Sequence, residues 1–158
     1  MDTGVTISEL VGLPAIRSIF PLYRQSSPLS EADFDSRLSA MVAQGNYRCI
    51  AAYDHGQMVG VAGFWTSTQL WCGRYVEADN VVVDAAVRSR GIGAALMAWI
   101  EAEGERLGCL VIRATMVLGR DRTHAFYARN GFFDDGMLLV KALSAGKDSF
   151  PEYVARPD

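Results

Sequence analysis

The chain has 158 residues, half of them hydrophobic and 21% charged, with a formal net charge of −3. That length suits one compact domain and is short for two. The mild acidity weighs against nucleic acid as the main partner, and no run approaches the roughly 20 apolar residues of a membrane helix. Cys49, Cys72 and Cys109 are odd in number and far apart, which argues against a disulfide framework or a cysteine-based metal site. The N-terminus lacks the basic start and apolar run of a signal peptide, so a cytoplasmic protein that binds no metal is expected.

Gly4 to Ile7 reads as a short strand ending at Ser8, which then caps a helix running to Gln25. Leu10, Leu13, Ile16, Ile19 and Phe20 form its stripe, and Pro14 and Pro21 bend or break it. Ser30, with Asp33 three residues on, opens a second helix to about Gln44, buried through Phe34, Leu38, Met41 and Val42. Tyr47–Tyr53 and Met58–Ser67 flank the turn Asp54-His55-Gly56-Gln57 and read as a hairpin. Gln69 to Gly73 fits either strand or loop. Tyr75 to Asp84 is a long strand ending in Val81-Val82-Val83. Gly91 to Leu107 is a helix with Ile92, Leu96, Trp99 and Ile100 on one face. Cys109 to Val117 is an apolar strand without clean alternation, as when both faces are covered. Asp121 to Asn130 is a short helix capped by Gly131, and Phe132 to Leu143 returns as strand. Residues 1–143 form one domain on this reading, and 144–158 a polar tail.

The chemistry concentrates where Val81-Val82-Val83 runs through Asp84-Ala85-Ala86-Val87 into Arg88-Ser89-Arg90-Gly91-Ile92-Gly93-Ala94. A strand, an arginine- and glycine-containing loop and a helix start make an anion site from unpaired amides and the helix dipole. Gly91 and Gly93 let a phosphate approach the backbone. Arg88 and Arg90 add charged donors. A pyrophosphate suits that loop; an ordinary loop with surface arginines is the alternative. No P-loop sequence is present. A dinucleotide fingerprint fails because the next strand ends without the acid that would hold the ribose.

Arg88-Ser89-Arg90-Gly91-Ile92-Gly93 resembles the pyrophosphate loop of the GNAT acetyltransferase superfamily: Arg or Gln, two variable residues, Gly, one variable residue, then Gly or Ala. Downstream, Arg120 and His124-Ala125-Phe126-Tyr127-Ala128-Arg129-Asn130-Gly131-Phe132 are similar to the family's second motif, with Thr123 where alanine is usual. The match runs from about Tyr75 to Leu143.

The resemblance implies a mixed α/β fold: a central, mostly antiparallel sheet splayed at the cofactor site, with helices on both faces. It also implies acetyl-CoA as co-substrate. Val81, Val82 and Val83 would offer backbone groups to the pantetheine arm, and Arg88, Ser89, Arg90, Gly91, Ile92, Gly93 and Ala94 would hold the pyrophosphate. Tyr127 corresponds to the general acid that protonates the leaving thiolate. The base would be Glu77, eleven residues before Arg88, or Asp79. Strand alternation puts both carboxylates on one face and Asn80 on the other.

His124, near a helix start, reads as a helix-end residue rather than a base, and His55 as a solvated turn residue. Phe20, Trp65, Trp71 and Tyr75 are candidates for an acceptor pocket, although aromatics in such elements are commonly core. Cys109 is expected to be inert and Cys72 exposed. The expected reaction moves acetyl to the primary amine of a small cationic molecule by direct attack in a ternary complex. Acetylation of a protein lysine or N-terminus, and a silent CoA-binding regulatory domain, are the alternatives. The sequence leaves a homodimer open.

Overall fold

The computed structural model describes residues 4–150. Five strands lie side by side in chain order: β1 (Val5–Leu10), β2 (Tyr47–Asp54), β3 (Gln57–Gln69), β4 (Gly73–Val83) and β5 (Val111–Ala114). The first four pair antiparallel and β5 pairs parallel to β4. The helices are α1 (Leu13–Arg17), α2 (Phe20–Tyr23), α3 (Glu31–Ala43), α4 (Ile92–Arg106) and α5 (Asp121–Arg129). The element order is the mixed α/β arrangement expected from the sequence.

Two apolar layers sandwich the sheet. On one face Ile16, Ile19, Phe20, Leu22, Phe34 and Leu38 from α1–α3 pack on Tyr47, Cys49, Ala51, Val61 and Val82. On the other, Ile92, Leu96, Met97 and Ile100 of α4 pack on Ile50, Ala52, Ala62, Phe64, Val76 and Ala78. β2 therefore sends Cys49 and Ala51 one way and Ile50 and Ala52 the other, which is why its sequence is apolar throughout. Burial pushes the Cys49 thiol up to about 12 and leaves it a packing residue.

Four local expectations are corrected. Ser8 caps nothing: β1 continues through it to Leu10. The expected helix to Gln25 is two short ones, because Pro14 and Pro21 each sit in a first turn, where a missing N–H is harmless. Phe132–Leu143 forms no strand, because a strand exists only against a partner edge and this stretch is paired with none among the described residues. Gln69–Gly73 resolves into the end of β3, a turn, and the start of β4. Ser30 caps α3 as expected, accepting from the Asp33 amide at 3.1 Å. Cys72 is buried rather than exposed.

Candidate active site

The sheet opens where β4 outruns β5. The ladder between them covers Tyr75–Ala78 against Val111–Ala114 and stops, while Asp79–Val83 continues on β3 alone. The break coincides with a bulge. Val82 faces Val61 and Asp79 faces Gly63, so Asn80 and Val81 together stand opposite Ala62. Asn80 takes φ 53°, a left-handed value that asparagine tolerates better than most residues.

The bulge reverses the side-chain order. Val76 and Ala78 belong to the α4-side core, so Tyr75, Glu77 and Asp79 point to the α1–α3 side. Beyond it Val82 joins the α1–α3 core, and Val81 and Val83 pack on the α4 side. Asn80 therefore does not face away from Asp79. Its Nδ2 donates to the Tyr47 hydroxyl at 3.4 Å, on the same side.

The two carboxylates have different neighbours. Asp79 accepts from Trp65 Nε1 at 2.9 Å and from the Asn80 amide at 2.9 Å. Glu77 lies two residues back, where β4 is still paired. It meets Arg113 Nη2 at 3.1 Å and the Thr115 hydroxyl at 3.2 Å. Arg113 also stacks over the Tyr75 ring at 3.9 Å and donates to the Tyr75 hydroxyl and to Gln69. A guanidinium that close neutralises much of Glu77's charge.

Beyond Val83, Asp84 caps a 3₁₀ turn (Ala85–Val87) by accepting from the Ala86 amide, and Gln25 of the α2–α3 connection accepts from the Ala85 amide at 3.0 Å. Ser89 (φ 69°) and Gly91 (φ 77°) then turn the chain into α4. The Ala95 amide is the first to bond back, to Gly91, so the amides of Ile92, Gly93 and Ala94 precede the helix's own ladder. Nothing would touch a Cβ at Gly91, whereas one at Gly93 would lie 3.0 Å from the Phe126 ring and 3.7 Å from Val83. A side chain at Gly93 would therefore need the Phe126 ring to give by a few tenths of an ångström. Arg90 is held by Asp54 of β2 at 2.8 Å, and Arg88 stays exposed.

Helix α5 brings Tyr127 to this opening. Phe126 and Phe132 flank its ring edge-on at 5.2 Å each, against the α4-side core. Burial raises the phenol's pKa, and the Asp79 charge, near enough to act on it, raises it further. A phenol so placed holds its proton throughout the neutral range.

The structure therefore gathers Asp79, Asn80, Val81–Val83, the loop 88–94 and Tyr127 around one gap, with Glu77 one step down the strand. His124 is elsewhere engaged, its Nε2 2.7 Å from Asp134. Of the candidate pocket aromatics, Trp65 orients Asp79, Phe20 stacks on Phe34 within the core at 4.9 Å, Tyr75 is buried under Arg113, and Trp71 lies exposed on the β3–β4 turn. Sequence reasoning missed Tyr47, Arg113 and Asp54; each acts through a partner distant in sequence. A cavity of about 100 Å³ opens beside Asn80 on the α1–α3 side, lined by Tyr23, Leu29, Arg37, Met41 and Tyr47.

Comparison with known proteins agrees with this geometry. The chain is 26% identical over 111 residues to an aminoalkylphosphonate N-acetyltransferase of Salmonella typhimurium, covering 70% of this chain and 72% of that one. Its fold matches an aminoglycoside 6'-N-acetyltransferase from Acinetobacter haemolyticus (TM-score 0.77, 15% identity, 88% and 98% of the two chains). It also matches a ribosomal-protein-alanine N-acetyltransferase from Brucella melitensis (TM-score 0.72, 18% identity, 89% and 99%). The family model described as "Acetyltransferase (GNAT) family" matches residues 13–132, so the chain belongs to the acetyltransferase (GNAT) family and is an N-acetyltransferase.

Proposed function

We propose that the protein transfers acetyl from acetyl-CoA to the primary amine of a small molecule by direct attack within a ternary complex. The observation that carries this reading is that Tyr127 lies within electrostatic reach of Asp79 at the splayed half of β4, while its neighbour Phe126 lies against Gly93 at the start of α4. The residues present fit the donor. The amides of Ile92–Ala94, the open space at Gly91 and the exposed Arg88 suit a pyrophosphate, and Val81–Val83 have no β5 neighbour on the gap side. Bound there, acetyl-CoA supplies an activated acyl thioester.

The chain's own residues then manage protons. An alkylammonium must lose one before it can attack. Asp79, which pairs with no cation among the described residues and is fixed by Trp65 and Asn80, is the better-placed acceptor, directly or through a water. Glu77 is tied to Arg113 and serves position more than proton transfer. Tyr127, kept protonated by burial, donates to the departing thiolate. A small acceptor is supported by the size of the cavity beside Asn80 and by the amine substrate in the name of the Salmonella relative.

The test is thiol release from acetyl-CoA against a panel of small amines and basic peptides, followed by Asp79→Asn and Glu77→Gln on the best acceptor. Turnover of small amines, with kcat falling about 10²-fold or more in Asp79→Asn and far less in Glu77→Gln, is expected. Turnover of peptides alone, or an unaltered rate in Asp79→Asn, would overturn the acceptor class or the base respectively.

A further inference from the structure

The cavity beside Asn80 has walls of two kinds. Tyr23, Leu29, Phe34 and Met41 line it from the helical layer with apolar and aromatic surface. The sheet supplies Tyr47 at the start of β2 and Asn80 at the bulge of β4, joined by the bond from the amide Nδ2 to the phenol oxygen. Tyr47 is 5% exposed, so this polar pair is set into the floor of the cavity rather than its rim.

One cationic side chain lines the same cavity, Arg37 of α3. Phe34 and Met41 stand three residues before and four after it, so Arg37 borders the stripe that α3 buries. A long side chain there lays its methylenes on apolar surface and carries its charge to the opening. Arg48, Arg90, Arg106 and Arg113 each bind a carboxylate. Arg37 does not: among the described residues it enters no ion pair and no hydrogen bond. Nearby acids of its own helix are engaged, Asp35 by Arg17 at 2.8 Å and Asp33 by the Ser30 hydroxyl at 2.9 Å. No acid lines the cavity among the described residues.

Past Asn80 the charge changes sign. Asp79 is the preceding residue of β4, and the Trp65 that fixes it packs on Tyr47 with ring centroids 4.9 Å apart. The site thus offers a cation on the helical wall and an anion beside the sheet floor. An alkylammonium is drawn to the Asp79 end. An acceptor cationic throughout would leave Arg37 facing a like charge. The complement is a molecule with an ammonium at one end and an anion at the other. Size narrows it further: the cavity is about 100 Å³, less than the about 150 Å³ that encloses a benzene ring. A carboxylate, phosphonate or phosphate on a chain of a few atoms suits that space.

We propose that Arg37 selects acceptors carrying an anionic group on the same short chain as the reacting amine, by binding that group in the cavity beside Asn80. The guanidinium fork matches carboxylate, phosphonate and phosphate alike, through parallel N–H bonds to two oxygens. A charge-assisted bond of this kind is worth about tenfold or more in preference. The inference rests on the reading that a small primary amine is acetylated beside Asp79, and names the class of that amine.

The test measures thiol release on matched amines that differ in the anion: propylamine against β-alanine, ethylamine against aminoethylphosphonate, and ethanolamine against phosphoethanolamine. In wild type, kcat/KM should favour the anionic member of at least one pair by about tenfold or more, mainly through KM. In Arg37→Gln that ratio should fall toward one, and Arg37→Lys should recover part of it. A ratio taken within one preparation cancels any loss of folded protein. A second arm needs no turnover: methylphosphonate, which lacks the amine, should shift the NMR signals of Arg37 and Asn80 in wild type and bind at least about tenfold more weakly to Arg37→Gln. A preference for the uncharged member in every pair, an anion preference unchanged in Arg37→Gln, or equal methylphosphonate binding by the two proteins overturns the inference and leaves small-amine acetylation standing. Absence of turnover with every amine sinks the proposed function instead, and methylphosphonate binding then decides alone whether Arg37 holds an anion.

Discussion

Residues 73–78 and 79–83 are consecutive stretches of one strand, and they differ in what lies on their far side. The first is bonded to β3 on one flank and, through Tyr75–Ala78, to β5 on the other. The second is bonded to β3 alone, because the bulge at Asn80 and the end of β5 at Ala114 open the ladder. In the paired stretch, Val76 and Ala78 fill core and Glu77 is tied to a cation. In the open stretch, backbone groups face a gap that Tyr127 and the start of α4 also reach. A single strand thus has one stretch locked into the sheet and one open on a flank, and the separator is one extra residue.

The comparison breaks most sharply at Tyr127. Tyr127→Phe keeps the ring packed between Phe126 and Phe132, so the melting temperature should barely move. Its kcat should fall about 10²–10⁴-fold, with acetyl-CoA affinity by calorimetry nearly unchanged. A rate within twofold of wild type would remove the phenol from the chemistry.

The paired side should respond in the opposite sense. Ile100 is fully buried where α4 covers the sheet, and Ile100→Ala should cost about 2–5 kcal/mol of unfolding free energy. Read by urea titration, that loss should leave kcat/KM close to wild type at temperatures where the variant is folded. A selective loss of kcat in the folded variant would mean that the two halves of β4 are not separable.

The smallest expected effect is a pH dependence far from the site. Glu103 of α4 binds Arg106 and Arg48, both at 2.6 Å, and Arg48 also holds Glu9 of β1. The Glu103 carboxylate is only 10% exposed, covered by the two guanidinium groups rather than sunk in apolar core. Those bonds, Arg106 first and Arg48 second, lower its pKa from 4.5 to about 2. A lowered carboxylate pKa stabilises the fold above the unfolded value and loses that contribution as pH falls toward the folded one. Wild type should therefore melt above Glu103→Gln at neutral pH, and the gap should close between about pH 4.5 and 2. A gap independent of pH would assign the effect to packing.

What could be read from the sequence was what is local. The Ser30 cap, the Asp54–Gln57 turn, the Arg88–Gly91 loop into α4 and the left-handed Gly131 are each specified within a few residues, and each occurs. The reversal at Asn80 escaped because a bulge is a mismatch between two strands, and Ala62 on β3 is half of it. Phe132–Leu143 reads as strand because its residues favour one, but pairing depends on an edge that alternation cannot supply. Asp79 is a candidate because the resemblance implies a carboxylate beside the valine run, on one face with Glu77, while the Trp65 donor that fixes it comes from fourteen residues earlier.

Gly93 joins the two motifs in a way that constrains how the protein can vary. A Cβ there would crowd the ring of Phe126, the neighbour of Tyr127, at 3.0 Å and meet Val83 at the end of β4 in ordinary contact at 3.7 Å. A heritable change at this codon would therefore bear on the start of α4 and on the seat of α5 in one step. Variation is freer on surfaces that do not route through it, such as α3 and the cavity beside Asn80, where residues can turn over one at a time.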